Sequence, residues 1–334
     1  MTLDLSALDS TTRLLFSVEL RPLQGDRFQP TGFPSLGAAT YETRTGTKLL
    51  VESAQSMANR FETTCWDGVN NRPIEPLKGI SHVTVTRNKS FLTDSMLEAH
   101  RINSPYLLEN TKDQSFENEL KKELGGLEAG PIDRKKLAST LLKFDVGSLI
   151  HGVFLAKKEL AGGRLRVARA LSAFIEATNA RVAASGGVKN DHVNPRGSTK
   201  EGFGNVPFAR DEFTADRLDL HVNLDLAQIR GFGLGKEIDR LLVLLALHRL
   251  RKLVDGDMRL RTACDLEPVD RNRIVASRPS SFELPSLTAL EGDLPTAIKA
   301  AKARMAETTV TYEDELKSAK DGKDKSEDDA EIDE

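Results

Sequence analysis

The chain has 334 residues, enough for one large domain or two small ones and for a sizeable core. Its 39% apolar and 29% charged residues make an ordinary soluble composition, and with no run of about 18 apolar residues a membrane-spanning helix is excluded. The net charge of −3 hides an asymmetry: Tyr312 to Glu334 holds 11 acidic and 4 basic residues, whereas Lys157 to Lys200 holds 9 basic residues against Glu159, Glu176 and Asp191. Such a basic stretch is either a polyanion footprint or a solvated charged face. Met1 to Ser10 lacks the basic and apolar regions of a secretory leader, and Cys65 and Cys264 are too few and too far apart for a disulfide framework. A reducing, cytoplasmic setting is therefore expected.

Thr12 to Leu20 alternates, with Leu14, Phe16, Val18 and Leu20 on one side and Ser17 and Glu19 on the other, which predicts a half-buried strand. Arg21 to Thr47, rich in Gly, Pro and Thr, reads as a long ordered loop or web. After the apolar Leu49, Leu50 and Val51, Ser53 is placed to cap a helix whose Ala54, Met57, Ala58, Phe61 and Cys65 recur on one face. A β-like stretch follows at His82 to Thr86. Residues 110–144 hold two charged helical patterns, Glu117 to Leu124 and Asp133 to Phe144, parted by Gly125, Gly126, Gly130 and Pro131; they look like a peripheral helical insertion. Asp145 to Leu155 reads as a strand, and Arg164 to Ser185 fits either helix or strand.

Gly186 to Pro207 holds five glycines and reads as a long loop or irregular hairpin, and a loop beyond about 15 residues is usually functional or disordered. Leu218 to Leu224 alternates cleanly as a strand. Lys236 to Leu253 is a buried helix, with His248, Arg249, Arg251 and Lys252 suited to the negative end of its dipole. Arg259 to Ala263 and Ile274 to Ala276 are further strand candidates. The acidic tail, 312–334, is too polar to bury a core and is expected to be disordered. The succession of strand, helix, strands, helix and strand is compatible with an α+β, ferredoxin-like β-α-β-β-α-β core carrying large insertions, in one domain over residues 1–311.

Most catalytic chemistry has no local support. None of His82, His100, His151, His192, His221 and His248 pairs with another at metal spacing, and there is no C-x-x-C, H-E-x-x-H or G-x-S-x-G, so neither a metal nor a cofactor is expected. Gly231 to Lys236 invites a P-loop reading, but Glu237 stands where a Mg²⁺-binding hydroxyl is needed. His151 lies in an apolar run and reads first as a core histidine. Asp191 and His192 could serve as acid and base in phosphodiester cleavage, although a basic loop touching phosphate is the favoured reading.

Phosphate-binding chemistry does gather. Ser53, Gln55, Ser56, Asn59 and Arg60 load the start and exposed face of the first helix with donors, where free amides already favour an anion. Arg164, Arg166, Arg169, Lys189, Arg196, Lys200 and Arg210 add cations, and Phe203, Phe208 and Phe213 interleave aromatic rings, a combination suited to a single strand. Phe213, beside a predicted strand, is divided between wedge and core.

Several blocks then carry a resemblance: Gln29-Pro30-Thr31-Gly32-Phe33-Pro34 through Ala38-Ala39-Thr40-Tyr41; Leu50 to Arg60; Glu98-Ala99-His100-Arg101 with Ser104-Pro105-Tyr106; Ser185 to Asp191; Gly202 to Phe208; and Leu260 to Leu266. Together they resemble the Csb-type backbone subunit of the type I-G (formerly I-U) CRISPR Cascade, a Cas-seven member of the RAMP superfamily. Ser53-Ala54-Gln55-Ser56-Met57 is also similar to the serine-glutamine-serine helix start of other type I Cas-seven subunits. Asp211 to Thr214, followed by Asn223 to Gln228, is similar to their passage from thumb hairpin to palm sheet.

The resemblance implies an RRM-like palm with fingers and a thumb, polymerising head to tail along a guide RNA (crRNA) held by its backbone, so that its bases pair with target DNA. Its implied partners are crRNA, target DNA, neighbouring copies of itself and other Cascade subunits, and no membrane. Ser53 and Gln55 are implied guide-phosphate contacts. The position after Met57, often basic in other type I members, is Ala58, which shifts weight to Arg60 and the central basic stretch. Residues 186–213 become a thumb, expected to order over RNA on a neighbouring subunit, while 110–144 and the acidic tail acquire no role. The expected function is therefore a non-enzymatic scaffold. The alternative is a metal-independent RAMP-type ribonuclease using Asp191 and His192, or His151.

Overall fold

The computed structural model describes residues 2–33, 37–125, 132–201 and 203–315. Pro34, the Gly126 to Pro131 break, Gly202 and the acidic segment from residue 316 onward lie outside them. The first alternating run forms β1 (Arg13–Pro22), burying Leu14, Phe16, Val18 and Leu20. The web leads into β2 (Thr40–Thr43) and β3 (Gly46–Glu52). Ser53 then caps α1 (Ala54–Thr63), its Oγ accepting the Ser56 N–H at 3.3 Å, and α1 buries Met57, Ala58 and Phe61.

After β4 (His82–Arg87) and β5 (Ser90–Asp94), a single helical turn at Pro105–Leu108 leads to α2 (Ser115–Leu124), α3 (Arg134–Phe144) and α4 (Val146–His151). A short hairpin, β6 (Val153–Leu155) and β7 (Leu165–Val167), precedes β8 (Leu171–Thr178). Then follow the long hairpin β9 (Arg181–Lys189) and β10 (Val206–Thr214), and β11 (Arg217–Asp225). The chain continues through α5 (Leu226–Gly231), α6 (Lys236–Asp255), β12 (Met258–Arg261), β13 (Cys264–Pro268), α7 (Leu287–Ala301) and β14 (Glu307–Thr311).

The result is a mixed α/β fold around an antiparallel sheet of order β12-β13-β1-β11-β8-β3-β2. Register places Phe16 opposite Val222 and Val222 opposite Ala173, so one face of the central strands is continuously apolar; α1 packs on the sheet at β8 and α6 lies against α1. The sheet curls: Arg261 on β12 bonds Glu52 at the end of β3, although four strands lie between them. A second sheet, β14-β4-β5, joins the C-terminal strand to β4 in parallel.

Three expectations change. Asp145 to Leu155 is not one strand, because the Asp145 carboxylate accepts the Gly147 N–H at 3.0 Å and the Ser148 hydroxyl at 2.7 Å and so starts α4. The 110–144 helices are not peripheral: Phe116, Leu120, Leu141, Leu142 and Phe144 belong to the main core. Ile274 to Ala276 forms only an isolated bridge, Val275 to Glu283, rather than a strand of the sheet. The basic end of α6 is buried, with His248 at 3.4 Å from Glu291 on α7 and Arg251 paired with Asp255.

The attached body also runs past Thr311. Tyr312 is buried edge-on against Tyr106 at 5.1 Å, and the Asp314 carboxylate accepts the Thr111 N–H at 2.6 Å and hydroxyl at 2.7 Å. A chain ending after Thr311 is expected to be about 1–2 kcal/mol less stable, with a Tm a few degrees lower, than one ending after Glu315, which keeps these contacts. Scanning calorimetry of the two truncations checks the contrast.

Candidate nucleic-acid interface

An open cleft of about 410 Å³ lies where the web, the root of the long hairpin and the edge of the sheet meet. Gln29, Thr31 and Ala38 line it from the web, Arg210, Asp211 and Phe213 from β10, and Arg261 from β12. Backbone bonds lock the three walls together. Phe28 and Phe213 exchange N–H···O bonds at 2.9 and 2.8 Å, Gln29 N–H donates to Ala263 at 2.8 Å, and Thr31 N–H donates to Val51 at 3.0 Å. Phe213 is therefore core, buried at the hairpin root, and not a wedge.

The helix start adjoins this cleft through one carboxylate. Glu52, buried, receives Arg60 at 3.0 Å and also Arg261, while Arg261 donates to the carbonyls of Gln29 and Val51 at 3.0 and 3.1 Å. Arg60 donates further to the carbonyls of Arg259 and Leu260. The expectation that Arg60 offers its charge to a phosphate is thus corrected: its guanidinium is committed to Glu52 and β12, and it positions the helix. Ser53 Oγ accepts as the cap and keeps its O–H to donate, Ser56 is half-buried, and Gln55 and Asn59 are exposed beside it.

The long hairpin pairs β9 with β10 along nine residues of each strand. Its register groups Lys189, Phe208 and Arg210 on one face and Val182 and Val188 on the other. Phe208, half exposed, lies over Gly187, where a Cβ would meet the ring at 3.4 Å, and at Gly186 a Cβ would come within 2.7 Å of the Phe208 carbonyl oxygen. Arg210 pairs with Glu212 beside it. Arg196, Lys200 and Phe203 are exposed in the turn beyond.

Arg164, Arg166 and Arg169 are not brought to the cleft. They lie on and beside β7, before the start of β8, whereas the long hairpin leaves from the other end of β8.

Residues 14–182 match a family model described as CRISPR-associated protein GSU0053. The chain belongs to that family. The blocks at Gln29 to Tyr41, Leu50 to Arg60 and Glu98 to Tyr106 fall inside the matched span. The chain is also similar to a solved chain described as "CRISPR RNA-guided surveillance complex, pre-nicking", at 13% identity and a TM-score of 0.39 over 76% of this chain and 73% of that one. It is similar to Csc2 of Thermofilum pendens at 10% identity and a TM-score of 0.32, over 91% of this chain and 79% of that one. These two are distant likenesses, and no curated protein matches.

Of the candidate cleavage residues in this member of the GSU0053 family, His192 is exposed, whereas Asp191 and His151 are held by their surroundings. Asp191 accepts the backbone N–H groups of Val193, Asn194 and Gly204 at 2.9, 2.9 and 3.0 Å; these bonds hold its carboxyl below the usual range and organise the turn. His151 is fully buried and stacked on Phe61 at 6.0 Å, and neither ring nitrogen has a hydrogen-bond partner among the described residues. Burial, then the charges of Arg249, Arg101 and Arg169, hold it well below the ordinary histidine range, so it is neutral. Among the described residues no group of three or more His, Cys, Asp or Glu could hold a metal, and no helix is long and apolar enough to cross a membrane.

What sequence reasoning missed is the Glu52–Arg261 link. Its only signal was that Glu52 and Arg261 both sit inside blocks carrying the family resemblance.

Two measurements test this account. Glu52→Ala strands two guanidiniums and is expected to cost about 3 kcal/mol in urea unfolding. Because His151 must stay neutral in the fold, its contribution is fully present above pH 6.5 and is lost as pH falls below it, by about 1 kcal/mol per pH unit. His151→Leu is therefore expected to flatten the acid side of the Tm–pH curve while leaving RNA binding unchanged.

Proposed function

We propose that this chain is the guide-RNA-binding backbone subunit of a type I CRISPR surveillance complex in the cytoplasm, a non-enzymatic scaffold that polymerises along crRNA and presents it for pairing with target DNA. The observation that carries the reading is a cleft walled by the web and by the root of a long hairpin bearing exposed cations and aromatic rings, with the capped start of α1 joined to it through Glu52 and Arg261. Membership of a CRISPR-associated family supplies the setting.

The central strand order β13-β1-β11-β8, with α1 between β1 and β8 and α6 between β11 and β13, supports an RRM-like palm. The hairpin then corresponds to the thumb. Gln55, Ser56 and Asn59 offer neutral donors to a guide backbone, and Lys189, Arg196, Lys200 and Arg210 add charge along the hairpin. Phe203 and Phe208 are placed to wedge beside a displaced base, since unstacking costs a few kcal/mol per step and needs several such contacts to offset it. Polymerisation places the thumb of one copy over RNA held by the next.

Each neutralised phosphate contributes about −0.7 to the slope of log K against log salt, so binding is expected to weaken steeply with salt and to be indifferent to guide sequence. A slope near zero, or strong discrimination between guides of equal length, would sink the reading. Deleting Gly187 to Asn205 leaves Val206 to Phe208 to close a shortened hairpin; the variant is expected to stay folded but to lose oligomers whose size tracks RNA length. Evenly spaced assemblies of the deletion variant, seen by native mass measurement, would remove the thumb from the proposal.

A further inference from the structure

The short hairpin β6–β7 presents a second cationic and aromatic surface. Phe154 faces Arg166 across the pair, and the Arg166 guanidinium lies 5.0 Å from the centroid of the Phe154 ring. Alternation fixes this arrangement: Val153, Leu155 and Leu165 are buried, so Phe154 and Arg166 point outward, the phenylalanine 46% exposed. Gly162 and Gly163 turn the chain at φ 74° and 69°, and a Cβ on Gly163 would meet the Ala156 carbonyl oxygen at 2.4 Å, so the turn accepts no bulkier residue there. From Lys157 to Arg169 the chain carries 5 basic residues against Glu159, and Lys157 is paired with Glu117 at 3.7 Å, which leaves a local excess of positive charge.

This surface stands apart from the cleft. It precedes Leu171, the first residue of β8, while the long hairpin departs after Thr178, the last; a strand of that length spans about 23 Å at roughly 3.3 Å per residue.

We propose that Phe154 and Arg166 form a platform for a second single-stranded nucleic acid, distinct from the strand in the cleft and bound without regard to sequence. The chemistry is that of stacking and charge. The ring holds the guanidinium plane in place, a base stacks on the exposed side of either group, and the excess of lysine and arginine around the turn attracts the phosphate backbone. An acidic protein surface would satisfy the charge but would leave the stacked pair without use. The proposal goes beyond the assignment of the cleft and does not depend on it.

The test uses the full chain saturated with an unlabelled guide-length RNA, to which a fluorescent, non-complementary single-stranded DNA is added. The DNA is expected to bind without displacing the RNA. Phe154→Ala is expected to weaken that second binding about tenfold while leaving guide RNA affinity unchanged, and Phe154→Tyr, which keeps the ring, to retain it. Arg166→Lys, which keeps charge without a planar group, is expected to fall between. Displacement of the RNA by the DNA, an equal loss of guide RNA affinity in Phe154→Ala, or second binding indifferent to Phe154→Ala would each overturn the platform. If the wild-type chain binds no guide RNA, the proposed function fails, and the DNA arm run on the RNA-free protein still decides the platform.

Discussion

One buried carboxylate governs how this chain closes on itself. Glu52 ends an edge-proximal strand, begins the cap of α1, and is shared by Arg60 from that helix and Arg261 from the opposite edge of the sheet. An isolated carboxylate in that position would be costly to desolvate, and two guanidiniums with several fixed donors each are the side chains best suited to offset it. Arg261 spends its remaining donors on the Gln29 and Val51 carbonyls, so the same charge that curls the sheet also fixes the web. The cleft is a by-product of that closure.

A second carboxylate clamps the other end of α1. Glu62 receives Arg101 through two bonds, at 2.9 and 2.6 Å, and burial pushes its carboxyl up to about 7 against the pull of Arg101 and Arg249. Gly147 is needed beside it, because a Cβ there would sit 2.9 Å from Asp145 Oδ1 and 3.1 Å from Glu62 Oε1. With arginine–carboxylate contacts at both ends and Met57 and Phe61 in the core, α1 has little freedom to move. A helix so held presents its first turn as a rigid element, which suits a surface required to hold a backbone in one register.

The sequence made legible what depends on short-range periodicity. Alternation in Leu14 to Leu20 and Leu218 to Leu224 located the two central strands, and the Ser53 cap located α1, because those signals are written into adjacent residues. Asp145 to Leu155 misled for the same reason: its apolar run permits either period, and only the Asp145 cap decides it. The candidate site was half legible. Its residue types were visible, but the roles of Arg60 and Arg261 depend on Glu52 lying near strands more than 200 residues away in sequence, a contact that no local pattern encodes. For the same reason Arg166 looked continuous with Lys189 in sequence, although β8 separates them in space.

The long hairpin has the opposite character from α1. A two-stranded ribbon without a third strand is marginal in water, and among the described residues β9 and β10 form a sheet of two strands, bridged to the web at Phe213 alone. What shapes their turn is local: Asp191 collects three backbone amides, Asn205 returns one, and Phe203 closes over Gly197 so tightly that a Cβ there would lie 2.4 Å from its own. Its root, by contrast, is tied to the web through Phe28 and Phe213. The ribbon is therefore anchored at one end, shaped at the other and unsupported between, with Phe208, Val182 and Val188 exposed along it. An unsupported ribbon with apolar side chains on both faces gains most when something covers it, so the physical logic of the fold places the rigid half of the interface on the body and the compliant half on the hairpin.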